Sequence, residues 1–220
     1  MHQKSVLGIS ALVSLVLAAG SALAWDRDWD DDDEHDDDEW AWDRDWDDDD
    51  EEEAPVPRTG QTDKIADGDD GDLQKGVAWP DPRFTDNTDG TVTDNLTGLI
   101  WVENANCADA IRDWTTALAD VVDLNSTGEM NGNDCGDDSN SADWRLPNMN
   151  ELQSLVDFSQ SDPALPSGHP FSDPQSSSYW SSTSYAGDTS TGWYLDLFSG
   201  DAVSDVLKGD GRYVWPVRGG

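Results

Sequence analysis

Basic residues, histidines and cysteines are all scarce in this chain of 220 residues. Twelve Lys and Arg stand against 48 Asp and Glu, which gives a formal net charge of −36. Phosphate binding needs clustered Lys and Arg, so this balance disfavours a nucleic-acid partner. The same repulsion disfavours binding to anionic membranes. Beyond residue 19 the chain has no long apolar run, so we expect no membrane span.

The first 24 residues have the pattern of a secretory signal peptide. Lys4 precedes an apolar run over residues 6–19, and Ala22-Leu23-Ala24 supplies a small-x-small cleavage site. The run is short for a bilayer span. We therefore predict an exported protein, which is secreted, periplasmic or located at the cell surface.

Residues 25–58 form an acidic tail of low complexity. Over 25–53 there are 20 acidic residues and two arginines, and the ten residues from Trp25 are repeated from Trp42. Such charge density cannot bury enough surface to fold, so we predict a disordered tail that ends in a stiff proline linker. Two roles stay open for this tail. It is an extended spacer, or an acidic arm that binds divalent cations or docks a basic partner.

Residues 59–220 have the pattern of one folded α+β domain. Seven tryptophans are available to its core. Residues 54–220 contain 28 acidic and nine basic residues, which gives them a net charge of −19. The Asp89-Gly90 pair predicts a hairpin over 84–94. Two helices are predicted, over 114–124 and about 149–158. Further short strands are predicted at 99–102, 179–183, 193–197, 202–207 and the C-terminus, where Pro216 implies an edge or a bulge.

Both predicted helices carry an apolar face. The second begins with a capping box, in which Asn148 and Glu151 can bond reciprocally to free backbone N–H groups. Its apolar face is Leu152, Leu155 and Val156. The apolar face of the first helix is predicted from Trp114, Leu118, Val121 and Val122. We assign six tryptophans mainly to the core: Trp79, Trp101, Trp114, Trp144, Trp180 and Trp215.

Several short motifs occur in a fixed order along the domain. They include Trp144-Arg145-Leu146-Pro147-Asn148 and the ending Tyr213-Val214-Trp215-Pro216-Val217-Arg218-Gly219-Gly220, with others at 59–62, 71–80, 82–87, 89–94, 97–101, 162–171 and 179–183. Together they resemble the Lcl C-terminal domain family, named after a bacterial collagen-like adhesin. The resemblance implies a C-type-lectin-like fold with short antiparallel strands and two helices.

The resemblance also implies a class of function. The adhesin's copy is linked to sulfated glycan binding and cell attachment. This chain has no collagen repeat and an acidic domain, so a broad basic surface for sulfated glycans is not expected. The fold is shared with formylglycine-generating enzymes, whose chemistry needs reactive thiols. We predict non-catalytic binding of an extracellular glycan or protein. The alternatives are a structural or cation-binding envelope protein that acts through the acidic tail, and an enzyme of the formylglycine-generating type.

Cys107 and Cys135 are the two cysteines of the chain. In an exported protein we expect them to pair, and two free buried thiols are the alternative. His169 is predicted to be a buried, hydrogen-bonded turn residue rather than a catalytic one. We expect no required cofactor. Calcium is considered at the carboxylate-rich loop that holds Asp134, Asp137 and Asp138, although the loop lacks EF-hand spacing and also fits an acidic solvated loop.

The predicted ligand surface comprises the loops 184–191 and 199–212. They are rich in Ser, Thr, Asp, Gly and Tyr, the composition of adaptable binding loops, although ordinary polar turns have the same composition. Tyr185 and Tyr194 are the predicted anchors. The other predicted ligand residues are Asp188, Thr189, Thr191, Asp201, Ser204, Asp205, Lys208, Asp210 and Arg212. The sequence makes no prediction of the oligomeric state.

Overall fold

A computed structural model describes residues 55–139 and 142–219. The predicted signal peptide and the acidic repeat of residues 25–53 lie outside the described residues. Within them the chain is a mixed α+β domain of three helices and nine strands. In chain order these are α1 (Asp70–Leu73), β1 (Phe84–Asp86), β2 (Thr91–Asp94), β3 (Ile100–Val102), α2 (Trp114–Thr127), β4 (Glu129–Met130), β5 (Asn133–Asp134), α3 (Met149–Gln153), β6 (Ser178–Ser184), β7 (Thr191–Asp196), β8 (Asp201–Leu207) and β9 (Val217–Arg218).

An antiparallel sheet of four strands has the order β1-β2-β3-β9. The predicted hairpin is confirmed, and Asp89 closes its turn by accepting hydrogen bonds from the backbone and hydroxyl of Thr91. Gly90 has a φ of +77°, and an added Cβ would overlap the carbonyl of Gly136. Pro216 immediately precedes β9, the last strand in the sheet order, and Val217 on the other side of β9 exchanges two backbone hydrogen bonds with Arg145.

A second antiparallel sheet, β6-β7-β8, lies between two clusters of buried side chains. Successive strand residues face opposite sides. Tyr179 and Leu195, which are paired across β6 and β7, belong to the first cluster. Trp180 belongs to the second cluster, and its strand partner Tyr194 packs against that cluster. This alternation lets one small sheet support the core on both faces.

Helix α2 is confirmed, and it extends three residues beyond the prediction. Asp113 caps its start by accepting from the N–H of Thr116, and Gly128 ends it in the left-handed conformation. The predicted apolar face is wrong at Val122, which is 66% exposed. The buried face is rotated, because at 100° per residue Ala117, Asp120, Val121 and Leu124 share one side of the helix.

Helix α3 has the predicted capping box but is shorter than predicted. Asn148 Oδ1 accepts from the N–H of Glu151 at 3.0 Å, and Glu151 Oε2 accepts from the N–H of Asn148 at 2.7 Å. The helix ends at Gln153, yet Leu155 and Val156 are still buried in the turns that follow. The apolar periodicity that predicts a longer helix therefore reflects burial, which turns provide equally well.

The short helix α1 is not among the helices predicted from the sequence. Asp69 caps it by accepting from the N–H of Asp72. Residues 56–58, assigned to the linker from sequence, hydrogen-bond through their backbone with Val77. None of the helices in the described residues has the length and apolar character to cross a bilayer.

Four of the six tryptophans assigned to the core are buried. Trp101, Trp180 and Trp215 are almost completely enclosed, and Trp144 is similarly covered. Trp79 and Trp114 are only partly buried. These two rings therefore offer accessible aromatic surface.

Candidate ligand-binding surface

The predicted ligand residues lie at both ends of the sheet β6-β7-β8. The turn 185–190 joins β6 to β7 and lies beside the end of β8, because Lys208 donates its backbone N–H to the carbonyl of Ser190 at 3.0 Å. Asp201 starts β8 at the other end of the sheet, opposite Asp196. A seven-residue strand spans roughly 20 Å. The structure therefore does not bring Asp201 together with the turn residues.

Two of the predicted residues hold the turn in shape. Asp188 Oδ1 accepts hydrogen bonds from the hydroxyl and N–H of Ser190, and these bonds lower the pKa of Asp188. Thr191 is buried and donates its hydroxyl to the carbonyl of Asp188 at 2.9 Å. Thr189 lies exposed between them. Asp188 and Thr191 thus set the conformation in which Thr189 is presented.

Lys208 is held against Trp114. Its Nζ lies 4.0 Å from the ring centroid and donates to Ser184 Oγ at 2.6 Å. The backbone N–H of Trp114 donates to the carbonyl of Lys208 at 2.9 Å, and its indole N–H donates to the carbonyl of Ser181. Both ends of the contact are therefore fixed to the sheet, and the ammonium has a defined position.

Arg212 lies over a second pair of rings. Its guanidinium carbon is 4.9 Å from the centroid of Tyr194 and 5.7 Å from that of Trp180. Its Nη1 donates to the carbonyl of Gly211, while its buried Nε has no partner among the described residues. The backbones of Arg112 and Arg212 exchange two hydrogen bonds, which fixes the backbone beneath the side chain.

The two cation–aromatic contacts lie next to each other. A Cβ added to Gly192 would lie 3.3 Å from Trp180 and 3.7 Å from Trp114, so the two rings are neighbours. We define the Lys208–Arg212 patch as Trp114, Ser184, Tyr194, Lys208 and Arg212. All five side chains are partly or fully accessible to solvent.

The charge of the patch contrasts with the rest of the domain. In the described part of the chain, Lys208 and Arg212 form no ion pair with a carboxylate, although the domain has a large excess of acids. Other basic side chains do pair with acids. These pairs are Lys64 with Asp67 and Asp72, Arg83 with Asp94, Arg112 with Asp120, Arg145 with Glu151, and Arg218 with Asp143. The two cations of the patch therefore retain donors for a ligand.

The two predicted aromatic anchors lie on different faces. Trp193 and Tyr194 are consecutive in β7 and point to opposite sides of the sheet. Tyr185 packs edge-on to Trp193, with ring centroids 6.3 Å apart. Tyr194 belongs to the patch, and Tyr185 lies on the side of the sheet that faces the first core cluster. A single small ligand cannot use both tyrosines as its main anchors.

For three further predicted ligand residues, the contacts in the described residues indicate no role in binding. Ser204 is partly buried, and Asp205 is exposed, in the stretch of β8 where the pairing with β7 shifts register. Asp210 is exposed in the turn after β8. Their part in ligand binding stays a prediction.

The predicted calcium ligands are engaged differently from one another. Asp137 Oδ2 accepts from the indole N–H of Trp144 at 2.6 Å, and its Oδ1 accepts from the N–H of Ser139. Asp134 accepts from the N–H of Gly136, while Asp138 donates its own N–H to the carbonyl of Asp89. Across residues 55–139 and 142–219, no group of three or more His, Cys, Asp or Glu side chains is arranged to hold a metal. Calcium binding by Asp134, Asp137 and Asp138 stays a prediction.

The predicted disulfide between Cys107 and Cys135 is confirmed, with 5.2 Å between the Cα atoms. Both residues are buried in the second core cluster. His169 departs from its prediction, because its Nδ1 is buried without a hydrogen-bond partner in the described residues. Burial lowers the pKa of His169.

Sequence reasoning missed Trp114 as part of the patch, whereas Ser184 lies at the start of the predicted loop 184–191. The position of Trp114 on an apolar helix face indicates a core residue instead. The scarcity of basic residues could have indicated the patch. Residues 54–220 contain only nine Lys and Arg, and two of them, Lys208 and Arg212, lie four positions apart. Their shared position on aromatic rings depends on the pairing of distant segments, which spacing does not reveal.

The architecture is that of a small α+β domain with a candidate recognition surface built on a three-stranded sheet. A family model of the Lcl C-terminal domain matches residues 90–218, and the chain belongs to this family. The matched range includes the whole Lys208–Arg212 patch and both cysteines. A comparison with curated proteins gave no match.

Proposed function

We propose that this chain is an exported, non-catalytic binding domain that recognises a glycan through the Lys208–Arg212 patch. The observation that carries the proposal is the placement of two cations without carboxylate partners on aromatic rings. In a domain of net charge −19, such cations are local sites of positive potential that attract oxygen-rich ligands.

The donor inventory of the patch suits a sugar. Lysine has three donors and arginine has five, and one of each is used internally by Ser184 and Gly211. The hydroxyl of Tyr194 has no hydrogen-bond partner in the described residues. Hydroxyl or carboxylate oxygens of a glycan can accept from these groups, while the aromatic rings contact the apolar face of a sugar ring.

Family membership supports the class of function. The Lcl C-terminal domain is associated with extracellular adhesion, and the leader over residues 1–24 favours export. We include in this proposal a C-type-lectin-like fold over residues 59–220 and a disordered acidic segment over 25–53, whereas residues 56–58 pack on the domain through Val77. The binding domain acts outside the cell or at its surface.

Specific observations bear on the competing functions. A formylglycine-generating enzyme needs reactive thiols, and the bridge between Cys107 and Cys135 occupies both sulfur atoms. That arrangement disfavours an enzyme of this type. A cation-binding role of the acidic tail depends on residues outside the described range, and it stays a competing prediction.

A glycan array probed with two proteins, residues 25–220 and residues 54–220, tests this function. Saturable binding by both proteins is expected, because the patch lies within the shorter one. Binding that requires residues 25–53, or calcium uptake by the tail alone, would place the function in the acidic tail and contradict the proposal.

A further inference from the structure

A concavity of about 400 Å³ lies where the start of the folded domain meets α3. One wall is formed by residues 56–59 and Trp79, and the other by residues of α3 and the turns after it. The family match begins at residue 90, so the first wall lies outside the matched range. No residue of the Lys208–Arg212 patch lines this cavity.

The walls are mainly apolar and aromatic. Val56 is 58% exposed and Phe158 is 43% exposed, although both are large apolar side chains. Trp79 is partly buried, and Val156 is the buried apolar residue of the wall near α3. Cavities of this volume with aromatic and apolar walls are typical binding sites for small molecules.

The polar groups of the cavity include two unpaired amides. Asn150 and Gln153 are three residues apart on α3, so their side chains lie on the same face of the helix. Both are exposed, and neither side chain has a hydrogen-bond partner in the described residues. Among the described residues that line the cavity there is no carboxylate, and the cation among them, Arg58, donates to the carbonyl of Gly76 at 3.0 Å.

A network beneath the cavity fixes the two walls relative to each other. Arg83 stacks on Trp79 at 4.7 Å and donates Nη2 to the carbonyl of Ser154 at 2.7 Å. Arg83 is itself held by a bidentate pair with the buried Asp94. The indole N–H of Trp79 donates to the carbonyl of Arg58 at 2.9 Å. The cavity is therefore preformed, which reduces the entropic cost of binding.

We propose that this cavity binds one ring of a neutral saccharide. The indole of Trp79 and the ring of Phe158 contact the C–H face of the sugar. The amides of Asn150 and Gln153 each offer a donor and an acceptor, which match neighbouring hydroxyl groups. A charged ligand is disfavoured, because the described part of the lining supplies no carboxylate for a cation and its arginine is already engaged.

The test uses the mature chain, residues 25–220, with maltose, cellobiose and diacetylchitobiose as probes. Saturation-transfer NMR and calorimetric titration measure binding of each disaccharide. We expect at least one to bind saturably, with affinity reduced about tenfold or more by Phe158→Ala and by the double variant Asn150→Ala, Gln153→Ala. The two amide side chains are exposed, so their removal leaves the fold intact.

Two control variants distinguish this cavity from the rest of the surface. Gln160→Ala removes an exposed amide outside the cavity and should leave the affinity unchanged. Lys208→Ala should also leave it unchanged, which separates this site from the Lys208–Arg212 patch. The proposal is overturned if none of the three disaccharides binds at millimolar concentration, or if the Asn150 and Gln153 double variant binds as well as the wild type.

Discussion

The ammonium of Lys208 lies 4.0 Å from the ring centroid of Trp114, and no carboxylate pairs with it in the described part of the chain. Its one polar side-chain partner there is Ser184 Oγ, at 2.6 Å. The Trp114 ring lies where other basic residues of this acidic domain have a carboxylate partner. A cation held in this way keeps its remaining donors available, and this is the basis of the proposed ligand surface.

Substitution of Lys208 is expected to change stability little. Lys208→Met keeps much of the apolar stem over Trp114 and removes the ammonium, and a cation–π contact at an accessible site contributes about 0.5–1 kcal/mol. We therefore expect the free energy of unfolding in urea to fall by less than about 1 kcal/mol. A loss of several kcal/mol would show that Lys208 is needed for folding and would weaken its assignment to binding.

Trp144→Ala is expected to destabilise the domain strongly. Trp144 is buried in the second core cluster, and its indole N–H donates to Asp137 Oδ2 at 2.6 Å. Truncation leaves a large cavity and removes a donor from that carboxylate, at a cost of roughly 3–5 kcal/mol. Urea denaturation measures the change. Leu207→Ala is the control, because Leu207 is 57% exposed and should cost under about 0.5 kcal/mol. Equal stability of the two variants would refute the core assignment of Trp144.

Loss of the disulfide is expected to lower stability by roughly 3–4 kcal/mol, because a bridge across 28 positions restricts the unfolded chain. The comparison is between the native protein and the double variant Cys107→Ala, Cys135→Ala in urea. Intact mass after alkylation without reduction provides the check on the starting material. It should show no modified cysteine, and a mass shift of one or two alkyl groups would contradict the bridge.

The pair of Arg145 and Glu151 makes a pH-dependent contribution. Burial opposes ionisation of Glu151, but hydrogen bonds from the Arg145 guanidinium and the Asn148 N–H outweigh it and hold its pKa below the ordinary 4.5. A lowered pKa in the folded state stabilises the protein above the unfolded value. That stabilisation is lost as the pH falls through the folded pKa.

Glu151→Gln isolates this contribution from the other acids of the domain. The stability difference between wild type and variant should be constant above pH 4.5 and shrink as the pH is lowered further. Urea denaturation over a pH series measures it. A difference that stays the same down to the acid unfolding of the wild type would mean that the pair does not lower the pKa of Glu151.

Local elements were predictable where a short-range signal determines them. The Asp89-Gly90 turn, the Asn148 cap and the start of α2 each depend on neighbouring residues, so the sequence locates all three. The orientation of α2 was not predictable, since Val122 has the right periodicity for burial but faces solvent. Which side of a helix is covered depends on the elements that pack against it, and sequence alone does not specify them.

The candidate site was predictable in part for the same reason. Composition identified the loops around Lys208 and Arg212, but not that Tyr185 and Tyr194 would lie on opposite faces. It also did not reveal that Asp201 lies at the far end of β8. Those relationships follow from strand register, which the bulge in β8 alters by one residue.

Glycan recognition by the Lys208–Arg212 patch is best tested with a double variant, Lys208→Ala with Arg212→Ala, in the mature chain. Lys64→Ala serves as the matched control, because it removes one cation from a surface where acids already pair with it. We predict that at least one glycan bound saturably by the wild type loses at least about tenfold in affinity with the double variant and is unaffected in the control, whereas disaccharides bound by the cavity beside Trp79 keep their affinity in both variants. Unchanged binding of every such glycan by a correctly folded double variant would refute the assignment of recognition to this patch.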